Sequence, residues 1–129
     1  MKSNKEYIAI EGEQFTIEWY FSKDDESISL DYYKSLDIRY RAKLFNLFKL
    51  MADTGEIKNK EKFRNEGDNI YTFKPKPYRF LCFFFEGKKI IITNAFYKNT
   101  QKLPKNEKAK ALNIKKDYEL RTIKGNYYE

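Results

Sequence analysis

Six cations, Lys74, Lys76, Arg79, Lys98, Lys102 and Arg121, fall in the second half of the chain beside the hydroxyl- and amide-bearing Thr100, Gln101 and Tyr118. Histidine is absent from all 129 residues. Cations and hydroxyls without imidazole suit metal-independent cleavage of RNA, in which a ribose 2′-OH attacks the adjacent phosphate. A protein doing this must hold the reacting atoms in line, offset the charge on the phosphorane and move two protons. Arginine suits the phosphate because its planar fork gives two parallel hydrogen bonds. Arg79 is the first choice for that role, since a charge beside the apolar run 80–85 needs a partner or a purpose. For the protons, a lysine crowded by other cations has a lowered pKa, and a tyrosine in a positive field is eased the same way. Lys98, Lys102 and Tyr118 are the candidates, and the sequence does not rank them. Lys74, Lys76, Thr100, Gln101 and Arg121 are expected to bind substrate. The competing reading of every lysine here is an ordinary solvated surface.

The elements that must position these residues follow from pattern. Residues 15–21 (FTIEWYF) are β-branched and aromatic and predict a first strand, ended by the charged 23–26. Residues 29–36 predict a short helix begun by a serine cap, and Asp37 caps a longer one. In that second helix Tyr40, Leu44, Leu47, Phe48 and Met51 recur at three- and four-residue steps and form one core face, closed by Gly55. Residues 56–69 are polar and read as a connecting loop. Residues 70–74 resume a strand that Pro75 and Pro77 interrupt. Residues 78–85 (YRFLCFFF) are apolar on both faces, as a covered central strand requires, and pair through Glu86-Gly87 with 89–96. After the polar segment 97–104, residues 105–122 form a basic terminal helix. The order strand, two helices, three strands, helix predicts an α+β domain: a small antiparallel-rich sheet with two N-terminal helices on one face and a C-terminal helix.

Composition bounds the rest. A chain of 129 residues with 41% hydrophobic and 18% aromatic residues supports one core and a single domain, residues 1–129, despite 35% charged residues. Residues 1–20 lack a signal-peptide core and are expected to stay uncleaved, and the longest apolar run, 80–85, is too short to span a bilayer. A cytoplasmic protein without membrane contact is expected. Cys82, the only cysteine, sits inside that run and reads as a buried small residue. Without histidine, His-containing triads and His-rich metal sites are excluded, so neither metal nor other cofactor is expected. The net charge of +7 is unevenly placed. Residues 1–73 hold 12 Lys and Arg against 14 Asp and Glu, a net −2, whereas residues 74–129 hold 14 against 5, a net +9. One half of the chain is thus expected to supply a polyanion-binding face and the other a scaffold or partner surface, the alternative being an unspecialised solvated lysine surface.

The stretch IYTFKPKPYRFLCFFFEGKKIIITNAFYKNTQKLPKNEKAKALNIKKDYELR, residues 70–121, resembles the C-terminal half of the phage-derived, HigB-like branch of the RelE/ParE toxin superfamily. That branch carries a strand with Tyr-Arg, a hairpin strand ending in Phe, the run Lys-Lys-Thr-Gln-Lys-Thr-Pro, and a helix ending near Asp-Tyr and Arg. The counterparts here are Tyr78-Arg79, Phe96, residues 98–104, and Asp117-Tyr118 with Arg121. Asn99 replaces the second lysine and Leu103 the threonine before Pro104, which removes one cation from the site. The resemblance implies a RelE-like fold and the toxin of a type II toxin–antitoxin system, an endoribonuclease that cuts mRNA on the ribosome, with rRNA contacts. It implies neutralisation by a cognate antitoxin with a helix-turn-helix domain. Arg79 and Lys98 are the residues it transfers most directly. Two alternatives stay open: a ParE-like gyrase inhibitor on a similar fold, and a non-catalytic RNA- or partner-binding module for which the +9 half suffices.

Overall fold

The apolar run that reads as a central strand is β5 (Tyr78–Phe85), and it pairs antiparallel with β6 (Lys89–Tyr97) in the computed structural model, which describes residues 5–98 and 102–129. The remaining elements are β1 (Ile8–Glu11), β2 (Thr16–Trp19), α1 (Ile28–Ser35), α2 (Ile38–Thr54), β3 (Phe63–Gly67), β4 (Ile70–Phe73) and α3 (Lys105–Ile123). The sheet has six strands in the order β1-β2-β6-β5-β4-β3. It is mixed, because β2 runs parallel to β6 while every other neighbouring pair is antiparallel. The connection from β2 to β6 spans both N-terminal helices, which is the kind of crossover that parallel pairing requires.

Alternation along β5 shows why it is apolar throughout. Phe80 and Cys82 join a core with Trp19, Leu44, Phe48 and Met51 beneath α1 and α2, while Leu81 and Phe83 join a second core with Ala111, Ile114 and Tyr118 beneath α3. The two N-terminal helices therefore share one face, as expected, and the C-terminal helix covers part of the other. Cys82 is fully buried and its thiol is pushed well up by desolvation.

The helix ends follow their caps. Ser27 caps α1, two residues earlier than the run 29–36 suggests, by accepting from the Leu30 amide at 3.3 Å; Ser29 is buried and donates to the Ile92 carbonyl. Asp37 accepts from the Arg39 amide at 2.9 Å, and Gly55 closes α2 in the left-handed region at φ 86°, donating to the Met51 carbonyl. Two strands were not expected. β1 is a four-residue edge strand on β2, and β3 lies inside the segment that reads as a loop.

The hairpin register of β5 and β6 carries one irregularity. Phe80 faces Ala95 but Cys82 faces Ile92, so β6 carries an extra residue at Thr93-Asn94. This bulge resets the alternation, placing Phe96 on the α3 face and Ala95 on the other. Asn94 is fully buried and donates to both the backbone oxygen and the carboxylate of Glu107, at 3.2 and 3.0 Å, which ties the bulge to the first turn of α3.

Candidate functional site

Arg79 stands opposite Phe96, which belongs to the core under α3, so its side chain leaves β5 on the α3 face. Lys98 lies two residues beyond Phe96, with its amide donating to the Pro77 carbonyl at 2.9 Å, and so returns to the same face beside Arg79. Extending the β4–β5 register beyond Phe73–Phe80 brings Lys74 opposite Arg79. Arg64 faces Thr72 across β3–β4. The open end of four adjacent strands thus gathers Arg64, Lys74, Arg79 and Lys98. Three of these are buried to an unusual degree for cations: Lys74 is 9% exposed, Arg79 8% and Lys98 8%.

Burial and mutual repulsion shift these groups. Desolvation holds the Arg79 guanidinium below its ordinary value, against the opposing pull of Glu66 and Glu61. Lys98 is lowered by burial and then by the Arg79 charge. Lys74 is lowered by the same two causes in the same order. A lowered lysine exchanges its proton closer to neutrality. Arg79 Nη1 donates to the Tyr78 carbonyl at 3.0 Å, but among the described residues its buried Nε has no hydrogen-bond partner. A buried donor of a charged group left unmatched is costly, and a bound anion would satisfy it.

Inside this group of cations lies a carboxylate. Glu66 accepts from the Thr72 hydroxyl at 2.6 Å, has Arg64 Nε 3.9 Å away, and draws on the charges of Arg79 and Lys98; its side chain is only 10% exposed. Arg64 and Glu66 were missed in the sequence because residues 56–69 read as a loop. The available signal was the turn after them: Asp68 and Asn69 at φ 55° and 64° form a two-residue connection of the type that joins hairpin strands.

The other expected site residues divide. Lys102 joins the site, lining with Arg64, Glu66, Lys105 and Lys108 a cavity of about 240 Å³. Lys76 turns toward α2, paired with Glu61 at 3.0 Å, in a cavity of about 340 Å³ whose wall it shares with Lys43, Lys62 and Lys74. Thr100 and Gln101 lie outside the described residues.

Tyr118 is not brought to the cluster. It is fully buried against Phe83 and Phe85, with its hydroxyl 2.7 Å from that of Tyr128. Phe85 is on the order of 20 Å along β5 from Arg79, at ~3.3 Å per residue. Desolvation pushes Tyr118 up to about 12, the reverse of the easing expected in a positive field. Arg121 donates to the Phe21 carbonyl at 3.0 Å and to Asp117 at 2.7 Å, away from the cluster. It fastens α3 across the end of β2. On a basic helix Arg and Tyr side chains can serve either purpose; here Tyr118 packs into the second core and Arg121 bonds to Phe21 and Asp117.

Among the described residues no three His, Cys, Asp or Glu side chains gather as a metal cage, and no helix is long and apolar enough to cross a membrane.

A mixed six-stranded sheet with helices on both faces, bearing buried cations and one carboxylate at an open strand end, defines a small α+β protein. More specifically, the chain belongs to the phage-derived Gp49-like family (DUF891), whose model matches residues 31–116. That span runs from α1 through most of α3 and includes every member of the cluster. The family is a RelE/Gp49 toxin-like one and is associated with the toxins of toxin–antitoxin systems, whose partners are antitoxins. No curated protein matches the chain.

Proposed function

We propose that this protein is the toxin of a type II toxin–antitoxin system, an endoribonuclease of the HigB-like branch with a RelE-like fold, acting on mRNA at the ribosome in the cytoplasm. The observation that carries the reading is the convergence of Arg79, Lys98, Lys74 and Arg64 around the Glu66 carboxylate on one open sheet end. Arg79 binds the scissile phosphate, using the Nε that lacks a partner among the described residues. Glu66 accepts the proton of the 2′-OH as its oxygen bonds to phosphorus. A lysine, Lys98 or Lys102, returns a proton to the departing 5′-oxygen as the P–O5′ bond breaks. The products are a 2′,3′-cyclic phosphate and a 5′-hydroxyl, with no metal or other cofactor consumed. Lys74 and Arg64 offset the charge gathered on the phosphorane. Thr100 and Gln101, beside Lys98 in sequence, are assigned to substrate binding, and a helix-turn-helix antitoxin restrains the whole.

Induced alone, the chain is expected to arrest growth and leave mRNA fragments ending in cyclic phosphate. Arg79→Ala should lower cleavage about 10²- to 10³-fold, the scale for removing one donor to a transition-state anion. Intact transcripts with altered DNA supercoiling would instead indicate a gyrase inhibitor, and RNA binding without new ends a non-catalytic module.

A further inference from the structure

On the opposite side of the same sheet end stands a group of tyrosines that the cleavage chemistry does not use. Tyr78 and Tyr97 are cross-strand partners at the last rung of the β5–β6 hairpin, with ring centroids 5.8 Å apart and planes at 74°. Tyr78 is itself held by Tyr40 at 5.0 Å and by Tyr32 at 6.0 Å, both in edge-to-face geometry. Tyr97 is the outermost ring of the group and 59% exposed. Cations flank the group: Lys43 Nζ lies 5.3 Å from the Tyr40 ring centre.

The juxtaposition is with the phosphate site. Tyr78 precedes Arg79 and Tyr97 precedes Lys98, so each strand delivers a ring to one face and a buried cation to the other. A ligand touching both must bend over the strand ends. A single-stranded polynucleotide does this readily, because its bases splay away from the backbone and stack on aromatic rings. We propose that Tyr97, supported from behind by Tyr78, is a nucleobase-stacking subsite for the nucleotide next to the one whose phosphate Arg79 and Lys98 hold. This rests on the reading of the cluster as an RNA site.

The test uses two short single-stranded oligonucleotides of 2′-O-methyl ribose, which cannot be cleaved, one carrying bases throughout and one abasic at every position. The full-length protein, Tyr97→Ala, Tyr97→Phe and Arg79→Ala are compared for binding, with thermal unfolding confirming that the variants fold. Tyr97→Ala should weaken the base-bearing strand about tenfold, in the range for one lost stack, and leave the abasic strand unchanged. Tyr97→Phe, which keeps the ring, should bind as the parent does. Equal losses on both strands, or none on the base-bearing strand, would overturn the subsite. Arg79→Ala should weaken both strands alike. If it weakens neither, or if the parent protein binds neither strand, the RNA reading fails and the subsite with it. A normal Arg79 effect with no Tyr97 effect removes only the subsite.

Discussion

Arg79 concentrates the conflict between stability and function in one side chain. Its guanidinium is nearly buried, donates once to backbone, and keeps Nε unmatched among the described residues. Replacing a buried, imperfectly paired charge with an apolar group of similar length is commonly neutral or stabilising. Arg79→Met is therefore expected to raise unfolding free energy by about 1 kcal/mol while abolishing cleavage, as site residues often trade one for the other. Urea unfolding beside an RNA-cleavage assay reads both, and a large loss of stability would show that Arg79 serves the fold. Lys98 gives a pH signature. Burial and Arg79 lower its pKa from 10.5, so between the lowered value and 10.5 the unfolded chain binds more protons than the native one. Stability from this group is therefore lost below that window and gained as pH rises through it. Lys98→Met removes the effect, so the stability of the parent relative to Lys98→Met should climb with rising pH as the window below 10.5 is crossed. Taking the difference between two proteins cancels the buried tyrosines, whose raised values push the other way. A flat difference would mean that Lys98 is not desolvated.

At the scale of elements, the β6 bulge decides whether Lys98 meets Arg79. Were residues 92–98 to alternate regularly, with no bulge at Thr93-Asn94, Phe96 and Lys98 would fall on the face of α1 and α2. Asn94 secures the bulge through two donated hydrogen bonds to Glu107. Asn94→Ala should cost about 1–3 kcal/mol from unmatched buried groups. It should also lower cleavage more than a stability loss alone would, which a comparison with Asp37→Ala tests. That variant loses a helix cap and an exposed ion pair with Arg39, on the opposite face of the sheet from the buried cations, at a cost of about 1 kcal/mol. Equal activity in the two variants would separate the bulge from catalysis. These elements also show what the sequence could disclose. The caps Asp37 and Gly55, the heptad-like face of α2 and the apolar β5 were legible because each depends on local chemistry. β3 was not, since an edge strand of sequence FRNEG buries little and so lacks alternation. The bulge was invisible too, because IIITNAF reads as one uninterrupted strand and only pairing reveals the added residue. The burial of Tyr118 was hidden for a related reason: a tyrosine on a basic helix looks the same whether it faces solvent or a second core.

For the whole molecule, the charge asymmetry of the sequence survives folding, but in a narrower form than a uniformly basic half. Several of the lysines of the C-terminal half are used structurally: Lys89 pairs with Glu18 at 3.6 Å, Lys108 with Asp68 at 2.9 Å and Lys115 with Glu119 at 3.1 Å. Arg64, from the acidic half, joins the cluster instead. Polyanion binding should thus be focused at the sheet end rather than spread over the surface, and salt dependence can measure this. Each phosphate neutralised on a single strand contributes a slope of about 0.7 to the fall of log affinity with log salt. Contacts from Arg64, Lys74, Arg79, Lys98 and Lys102 predict a slope of about 2 to 3, allowing for cations that share a phosphate. Lys102→Met, at an exposed position lining the site, should lower the slope by about 0.7. Lys124→Met, also exposed but just past the far end of the 19-residue α3, should leave it unchanged although it removes the same charge. Equal effects from the two substitutions would mean that net charge alone attracts RNA, whereas the expected difference places the strand across the sheet end, where the neighbouring tyrosines can take up a base.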